Sequence, residues 1–176
     1  EEYAARKTLN VQKLPIYPGF IDSHCHFLSL GLSLEQIDLT GTKSFEEVLN
    51  KIQEFSKNKT LKAIVGRGWD QNLWENKAFP TKEELDKAFP GKLVILERVD
   101  GHAAYVSSAV LEKANITAET KVEGGEVIIV NGAPSGVLID KASDLAYAIL
   151  PEPSTEKKIR ALKKAEEIAF QNGLTT

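Results

Sequence analysis

The sequence has no methionine and only one cysteine, two tryptophans and three histidines in 176 residues. A single cysteine excludes a disulfide within the chain. No apolar run approaches the roughly 20 residues that a membrane-spanning helix needs, so no membrane partner is expected. The start, EEYAARKTLN, lacks both an initiator and the apolar core of a signal peptide. These absences predict a processed or truncated chain and leave an exported parent protein open.

Neither sign of charge dominates, since the formal net charge is -3 at pH 7 with acids and bases interspersed. Such a balance gives no reason to expect nucleic acid or an anionic membrane surface as a partner. With 42% hydrophobic residues, the chain can bury the core of one domain, with or without an appendage. The composition predicts a soluble globular protein and favours the cytoplasm, although the compartment stays open.

Strand and helix patterns alternate along the chain, which predicts an α/β fold. Ser44 and Glu47 have the spacing of a capping box ahead of an amphipathic helix, and Thr81 and Glu84 repeat this spacing. Ser154 can cap a long helix near the end of the sequence. A further helix is expected in YVSSAVLEKAN.

The predicted strands are short segments rich in apolar and β-branched residues. Asn131 and Gly132 predict the turn of a hairpin in GGEVIIVNGAPSGVLID, and a turn is expected near Gly31. The other strands are expected in KLPIYPGFIDSHCH, LKAIVGRGW, KLVILERV and the terminal LTT.

Two of the three histidines, His24 and His26, flank the only cysteine in the stretch YPGFIDSHCHF. In an extended strand, side chains at i and i+2 project to the same side, so the two imidazoles can share an ion while Cys25 faces away. Neutral imidazole suits zinc, iron, manganese and nickel. The alternative is a pair of hydrogen-bonded or solvated polar residues at a strand end. The apolar GFI ahead of the pair favours the metal site, because α/β proteins assemble their sites at the carboxyl ends of buried strands.

The motif PGFIDSHCH resembles the first barrel strand of the amidohydrolase superfamily, metal-dependent hydrolases built on a (β/α)8 barrel. Further blocks resemble one branch, amidohydrolase family 3, which includes enzymes similar to N-substituted formamide deformylase. The resemblance extends from Leu14 to Thr176. These blocks are GRGWDQNLW, FPTKEELDKAFPGKLVILERVDGHAAYVSSAVLEKANIT, GGEVIIVNGAPSGVLID and NGLTT.

The resemblance implies an α+β module inserted after the first strand of a truncated (β/α)8, or TIM, barrel. Residues 1–28 would be a lead-in and the first barrel strand, and residues 29–150 the inserted domain. Residues 151–176 would be the first barrel helix and the start of the second barrel strand. The module is expected to have its own small core, including Leu49, Ile52, Phe55, Val65, Leu93 and Ile95.

The resemblance also implies that His24 and His26 ligate the more buried of one or two divalent ions, with zinc expected. In such enzymes, later strands supply a carboxylate or carboxylated lysine, further histidines and an aspartate that serves as base. None of those strands lies within this sequence. We therefore expect a fragment of a hydrolase that cleaves a non-peptide C-N bond of a small amide-type substrate with metal-activated water. The fragment itself is expected to be inactive, and a homo-oligomer of the parent is left open.

Two other functions are also compatible with the sequence. The chain could serve as a non-catalytic substrate-capping or packing module. It could also belong to a phosphoesterase of the polymerase-and-histidinol-phosphatase type, which begins with His-x-His on a first strand. The blocks DGHAAYVSS and GWD argue against the phosphoesterase.

Asp22, Trp69 and Asp70 are further candidates, each with a structural alternative. Asp22 lies two residues before His24, where its carboxylate would either orient an imidazole or hydrogen-bond the local backbone. Trp69 would form a wall of the substrate pocket and Asp70 a polar anchor. Alternatively, Trp69 and Trp74 are core residues of the module.

Arg98, Asp100 and His102 follow a predicted buried strand, a position from which loops reach toward a site. The resemblance puts this block beside the barrel mouth, with His102 near the substrate. The competing interpretation is a buried pair, either Arg98 with Asp100 or Asp100 with His102, that holds the module together.

Overall fold

A six-stranded mixed sheet organises the fold of the computed structural model, which describes residues 6–57 and 61–176. The strands are, in chain order, β1 (Ile37–Asp38), β2 (Ile64–Trp69), β3 (Val94–Arg98), β4 (Ala103–Val106), β5 (Gly125–Val130) and β6 (Ala133–Asp140). They lie side by side in the order β1-β2-β3-β4-β6-β5. The pairs β1-β2 and β2-β3 are parallel, and the remaining pairs are antiparallel. As a result, β1, β2, β3 and β6 all end at one edge of the sheet, which we call the carboxyl edge.

The helices are α1 (Phe27–Ser33), α2 (Phe45–Ser56), α3 (Lys82–Ala88), α4 (Ser108–Lys113), α5 (Lys141–Tyr147) and α6 (Thr155–Gln171). Ser44 caps α2 by accepting a hydrogen bond from the backbone N-H of Glu47 at 3.1 Å. Ser154 caps α6 in the same way, and Thr81 and Glu84 form the capping box of α3. These contacts confirm the three helix starts predicted from sequence. Among the described residues, none of the helices combines the length and the apolar character needed to cross a membrane.

Apolar side chains cover both faces of the sheet. Val94 and Leu96 of β3 belong to one cluster, which includes Trp69 and the buried side of α2, while Ile95 belongs to the other, under α4 and α5. This alternation follows from the period of two in a strand that is buried on both faces. Of the core residues predicted for the module, Ile52 and Ile95 are fully buried, and Leu49, Phe55, Val65 and Leu93 are partly buried.

The hairpin prediction is confirmed, whereas one helical prediction needs correction and one helix was not predicted. Asn131 and Gly132 both have positive φ, as the two-residue turn between β5 and β6 requires. Tyr105 and Val106, expected in a helix, belong to β4. The Asp100-Gly101 step turns the chain back from β3, so these residues pair with it. Helix α5 has no counterpart among the predicted elements.

The histidine segment also departs from its predicted form. Phe20 pairs with Leu174 in a parallel bridge, so the expected extension is present up to Asp22. The chain then bends at Ser23 and His24, because the carboxylate of Asp22 accepts a hydrogen bond from the backbone N-H of His24 at 3.1 Å. The turn expected near Gly31 is instead the interior of α1.

Gly31 is present in α1 because α1 packs closely on α6. A Cβ atom built at Gly31 would overlap the carbonyl oxygen of Ala161, which is fully buried. Glycine here serves close helix packing instead of a turn.

The close packing at Gly31 predicts that an alanine there lowers stability, whereas helix propensity alone would predict that it raises stability. In an open helix, Gly to Ala gains about 0.5–1 kcal/mol. Gly31→Ala should instead destabilise the chain by about 1–3 kcal/mol through overpacking, measured by urea unfolding. Ser29→Ala, at an exposed position of the same helix, should stay within about 0.5 kcal/mol of the parent. A more stable Gly31→Ala chain would contradict the packing of α1 on α6.

Candidate functional site

His24 and His26 lie close together at the point where the paired segment ends. Their ring centroids are 5.5 Å apart and the ring planes are nearly perpendicular, at 86°. Two imidazoles bound to one tetrahedral zinc place their centroids about 5 Å apart, since each Zn-N bond is about 2.0–2.1 Å. The rings are therefore as close as the sequence predicted, although the segment that carries them is bent and not extended. The donor chemistry and the ring spacing both fit a divalent ion.

The fit extends only to these two donors. Within residues 6–57 and 61–176, no group of three or more His, Cys, Asp or Glu side chains is placed to hold a metal ion. Cys25, between the two histidines, is exposed and unbridged, and neither Asp100 nor His102 joins the pair in such a group. In this part of the chain, the structure brings together two imidazoles, and a complete metal site would need further donors.

A cleft of about 650 Å³ opens beside His26. It runs between α1, the second half of α6 and the segment that carries the histidines. Apolar atoms form most of its exposed wall, although polar and charged side chains line it as well. The lining includes Asp22, Cys25, His26, Leu30, Arg67, Glu166, Phe170 and Leu174.

Asp22 makes the local contact that was one of its two predicted roles. Its Oδ1 atom accepts the hydrogen bond from the backbone of His24, not from either imidazole. The carboxylate thereby fixes the bend that presents the histidine pair.

Trp69 and Trp74 lie in an aromatic cluster within the core on one face of the sheet. Trp69 is 1% exposed, and its indole N-H donates to the carbonyl of Leu96 at 2.8 Å. The two tryptophan rings are 5.9 Å apart. Asp70 accepts a hydrogen bond from the backbone N-H of Asn72 at 2.9 Å and caps the short 3-10 turn Gln71–Leu73. These contacts match the structural alternative given for Trp69 and give Asp70 a local role.

Arg98, Asp100 and His102 form one hydrogen-bonded array at the carboxyl edge. Arg98 donates to both carboxylate oxygens of Asp100, at 2.9 and 2.7 Å, and the backbone N-H of His102 donates to Asp100 at 3.0 Å. The Nδ1 atom of His102 lies 2.8 Å from a carboxylate oxygen of Asp140. Since an ionised carboxylate can only accept, Nδ1 is the donor of this contact when Asp140 is ionised.

Asp140 was not identified from the sequence, although its carboxylate completes this array. Its backbone has a φ of 46°, in the left-handed region that non-glycine residues rarely adopt. A hydrogen bond from its N-H to the carbonyl of His102, at 3.0 Å, holds that conformation. The only sequence signal was an aspartate at the end of a predicted strand, with no hint of a partner 38 residues away.

Arg67 also escaped the sequence analysis. It lies in the Gly-Arg-Gly-Trp-Asp stretch, in which Trp69 and Asp70 were the predicted site residues. The available signal was its charge, since an exposed arginine interrupts a strand that is otherwise buried or half-buried. In the structure, Arg67 lines the cleft beside His26.

Arg98 lowers the pKa of Asp100 through its hydrogen bonds. A carboxyl group whose pKa is lower in the folded chain than in the unfolded chain stabilises the fold at pH values above its unfolded-state pKa. This stabilisation is lost as the pH falls through the folded-state pKa. Asp100→Asn should therefore lower stability at pH 7, by less than about 1 kcal/mol because the side chain of Asp100 is 44% exposed.

The difference between the parent and Asp100→Asn should shrink as the pH falls below the ordinary carboxyl value of 3.8. This difference in unfolding free energy is measured by urea unfolding at a series of pH values. Glu75→Gln, at an exposed position outside the array, should show no such dependence. A constant difference at all pH values would mean that the charge of Asp100 contributes nothing to stability.

Several known proteins are similar to this chain in sequence or in fold. The chain is 35% identical to Bacillus subtilis YtcJ, whose name describes it as an amidohydrolase, over 99% of this chain and 34% of that protein. It is 32% identical to the Arabidopsis thaliana protein LONG AFTER FAR-RED 3, over 96% of this chain and 29% of that protein. It is 27% identical to the N-substituted formamide deformylase of Arthrobacter pascens, over 81% of this chain and 27% of that enzyme.

Two crystal structures of uncharacterised metal-dependent hydrolases share its fold. The protein from Pyrococcus horikoshii OT3 superposes with a TM-score of 0.64 at 28% identity, over 90% of this chain and 30% of that protein. The protein from Pyrococcus furiosus gives 0.61 at 28% identity, over 89% of this chain and 30% of that protein. The chain thus spans about a third of the length of the proteins it matches.

The sequence profile of the amidohydrolase family matches residues 14–176, nearly the whole chain. Together with the relatives, this match means that the chain belongs to the amidohydrolase family.

Proposed function

We propose that the chain is the amino-terminal part of a metal-dependent hydrolase that cleaves a non-peptide C-N bond of a small amide-type substrate. The observation that carries the proposal is the spacing of His24 and His26, which suits one shared ion. Membership of the amidohydrolase family supports hydrolysis. The name of one relative, N-substituted formamide deformylase, favours an amide-type bond.

The proposed architecture is the first β/α unit of a barrel with an inserted module. Phe20 and Leu174 pair in parallel, and α6 immediately precedes Leu174. Two parallel strands joined through a helix form the repeating unit of a (β/α)8 barrel. On this proposal, residues 29–150 are the insertion and their six-stranded sheet lies outside the barrel.

His24 and His26 would hold the ion, for which zinc is proposed because imidazole nitrogen suits it. When bound, the ion would polarise the scissile carbonyl and lower the pKa of a water molecule. Asp22 fixes the bend that presents both rings. The cleft beside His26 offers mostly apolar walls to the substrate. The remaining ligands and the base would come from residues outside this chain.

At the carboxyl edge, His102 is proposed to face the substrate. Asp140 fixes its Nδ1 proton, so Nε2 is available to accept a hydrogen bond from a substrate N-H. Arg98 and Asp100 position the loop that carries His102. In this proposal, His102 contacts the substrate, and Arg98, Asp100 and Asp140 hold His102 in position.

A second candidate function is a substrate-capping module without chemistry of its own. The observation in its favour is that no third metal donor joins the histidine pair within the described residues. Trp69 and Asp70, which make internal contacts, would then belong to the scaffold of the module.

The test of the hydrolase proposal uses the protein at its native length. Amine or ammonia release from N-substituted formamides should disappear on metal chelation and return with zinc. His24→Asn and His26→Asn should each lower kcat/KM by about 100-fold or more, because each removes an ion ligand. Gln53→Asn, at an exposed position of α2, is the matched control and should leave the rate unchanged. Phosphate release from phosphoesters in place of amine release would favour the phosphoesterase alternative.

The 176-residue chain alone should be inactive and bind zinc weakly. Two nitrogens cannot fill a coordination sphere, and water activation also needs a positioned base. Calorimetric titration with zinc and the same amine-release assay, set beside the native-length protein, provide the check. Tight stoichiometric zinc binding with turnover by these 176 residues would show that Cys25, Asp100 or His102 completes the site.

A further inference from the structure

Arg67 lies in a row of charged side chains across the parallel strands. Asp38 of β1 and Glu97 of β3 are its direct partners in the register on either side. A bulge follows at once, between Arg67 and Trp69. It is centred on Gly68, whose φ of +101° few other residues could adopt. Bulges re-aim neighbouring side chains and are common beside functional sites.

Despite these neighbours, the guanidinium of Arg67 forms no hydrogen bond or ion pair with any side chain among residues 6–57 and 61–176. The carboxylate of Asp38 is engaged by Thr40, whose hydrogen bonds are the main reason that the pKa of Asp38 is lowered. Arg98 provides the contrast on the next strand, because Asp100 binds it through both oxygens. Of these two arginines at the carboxyl edge, only Arg67 has its donors available.

Arg67 also connects two openings of the surface. It lines the 650 Å³ cleft beside His26, and it lines a second cleft of about 330 Å³ that reaches Asp38, Thr40 and Val99. Its position therefore joins the histidine pair to the loop after β3.

We infer that Arg67 binds a carboxylate group of the substrate and so selects amides that carry an acidic group. The guanidinium presents a planar fork of donors that matches a carboxylate, and an unpaired fork in a cleft favours such a ligand. The inference rests on the proposed function for the reaction at the histidine pair.

The other charges facing the cleft narrow the ligand class. Asp22 and Glu166 line the same cleft, and Asp38 and Glu97 flank Arg67 in the sheet. These four carboxylates repel any anion, and they repel a dianion such as phosphate about twice as strongly as a monoanion, so the ligand that Arg67 can hold here is singly charged. A single carboxylate that meets the guanidinium in two parallel hydrogen bonds is the anion that fits.

Direct binding tests this inference without relying on turnover. N-acetylglycine and N-acetylglycinamide differ only in carboxylate against carboxamide, and calorimetry on the native-length protein gives the ratio of their Kd values. The parent should prefer the carboxylate by about tenfold, the range expected for hydrogen bonds to a charged group. Arg67→Gln should abolish this preference, and Arg67→Lys should keep part of it.

Arg160→Gln is the matched control, because it removes the same charge from an exposed position on α6 outside both clefts. It should leave the preference intact. The inference is overturned if the parent shows no preference, or if Arg67→Gln retains it. If Arg67 only balances Asp38 and Glu97, Arg67→Gln will lower the melting temperature without changing the ratio, which also overturns it.

The two proposals fail separately. A protein that prefers the carboxylate probe through Arg67 but releases no amine from any amide supports the carboxylate site and contradicts the hydrolase. A protein that hydrolyses neutral and acidic amides equally, with no effect of Arg67→Gln on KM, supports the hydrolase and contradicts the carboxylate site.

Discussion

Three backbone hydrogen bonds between the beginning and the end of the described chain determine where the histidine pair lies. Phe20 donates to Gly173 at 2.7 Å, Thr175 donates to Phe20 at 2.9 Å and Asp22 donates to Thr176 at 2.9 Å. Apart from Val11, the side chains from Arg6 to His26 are exposed, so side-chain burial contributes little to holding this segment. The position of His24 and His26 depends on this parallel pairing, which in turn depends on α6 being held against α1 where Gly31 meets Ala161.

The topology of the sheet brings together a second set of polar groups, in addition to the histidine pair. Parallel strands end at the same edge, so β1, β2 and β3 bring Asp38, Asp70 and Asp100 to one side although they are far apart in sequence. Open α/β sheets bind ligands at that edge for the same reason. Arg67 is the residue that both clefts share, and it connects this edge to the histidine pair. The sheet thus contributes Arg67 to the cleft, whose other sides are α1, α6 and the histidine segment.

Sequence patterns predicted the features that depend on neighbours within a few residues. Ser44 and Ser154 cap their helices, and Asn131 and Gly132 turn the hairpin, because each needs only a local contact. The patterns failed where a distant segment decides the outcome. Gly31 is helical because of Ala161, and Tyr105 is in a strand because it pairs with both Leu96 and Val137. The His102-Asp140 contact and the unpaired state of Arg67 likewise come from tertiary structure, which no local pattern contains. The close spacing of the two histidines was predictable, since residues i and i+2 stay near each other whether the chain is extended or bent.

The surroundings of the histidine pair bear on how its coordination would be completed. Metal ligands in hydrolases work in a dry, shaped cavity, whereas His24 and His26 are both exposed here. Large apolar side chains beside them are exposed as well, with Phe20 at 61%, Ile21 at 72% and Phe170 at 58%. Contiguous exposed apolar surface marks a place where other protein structure packs. The exposed histidines and the exposed apolar side chains lie at one location, so a single covering element could bury both. A covering element that buries Phe20 and Ile21 would exclude water from the pair and is well placed to bring the missing donors. The barrel proposal therefore accounts for the exposure of the histidine pair and for the uncovered apolar surface with the same added structure.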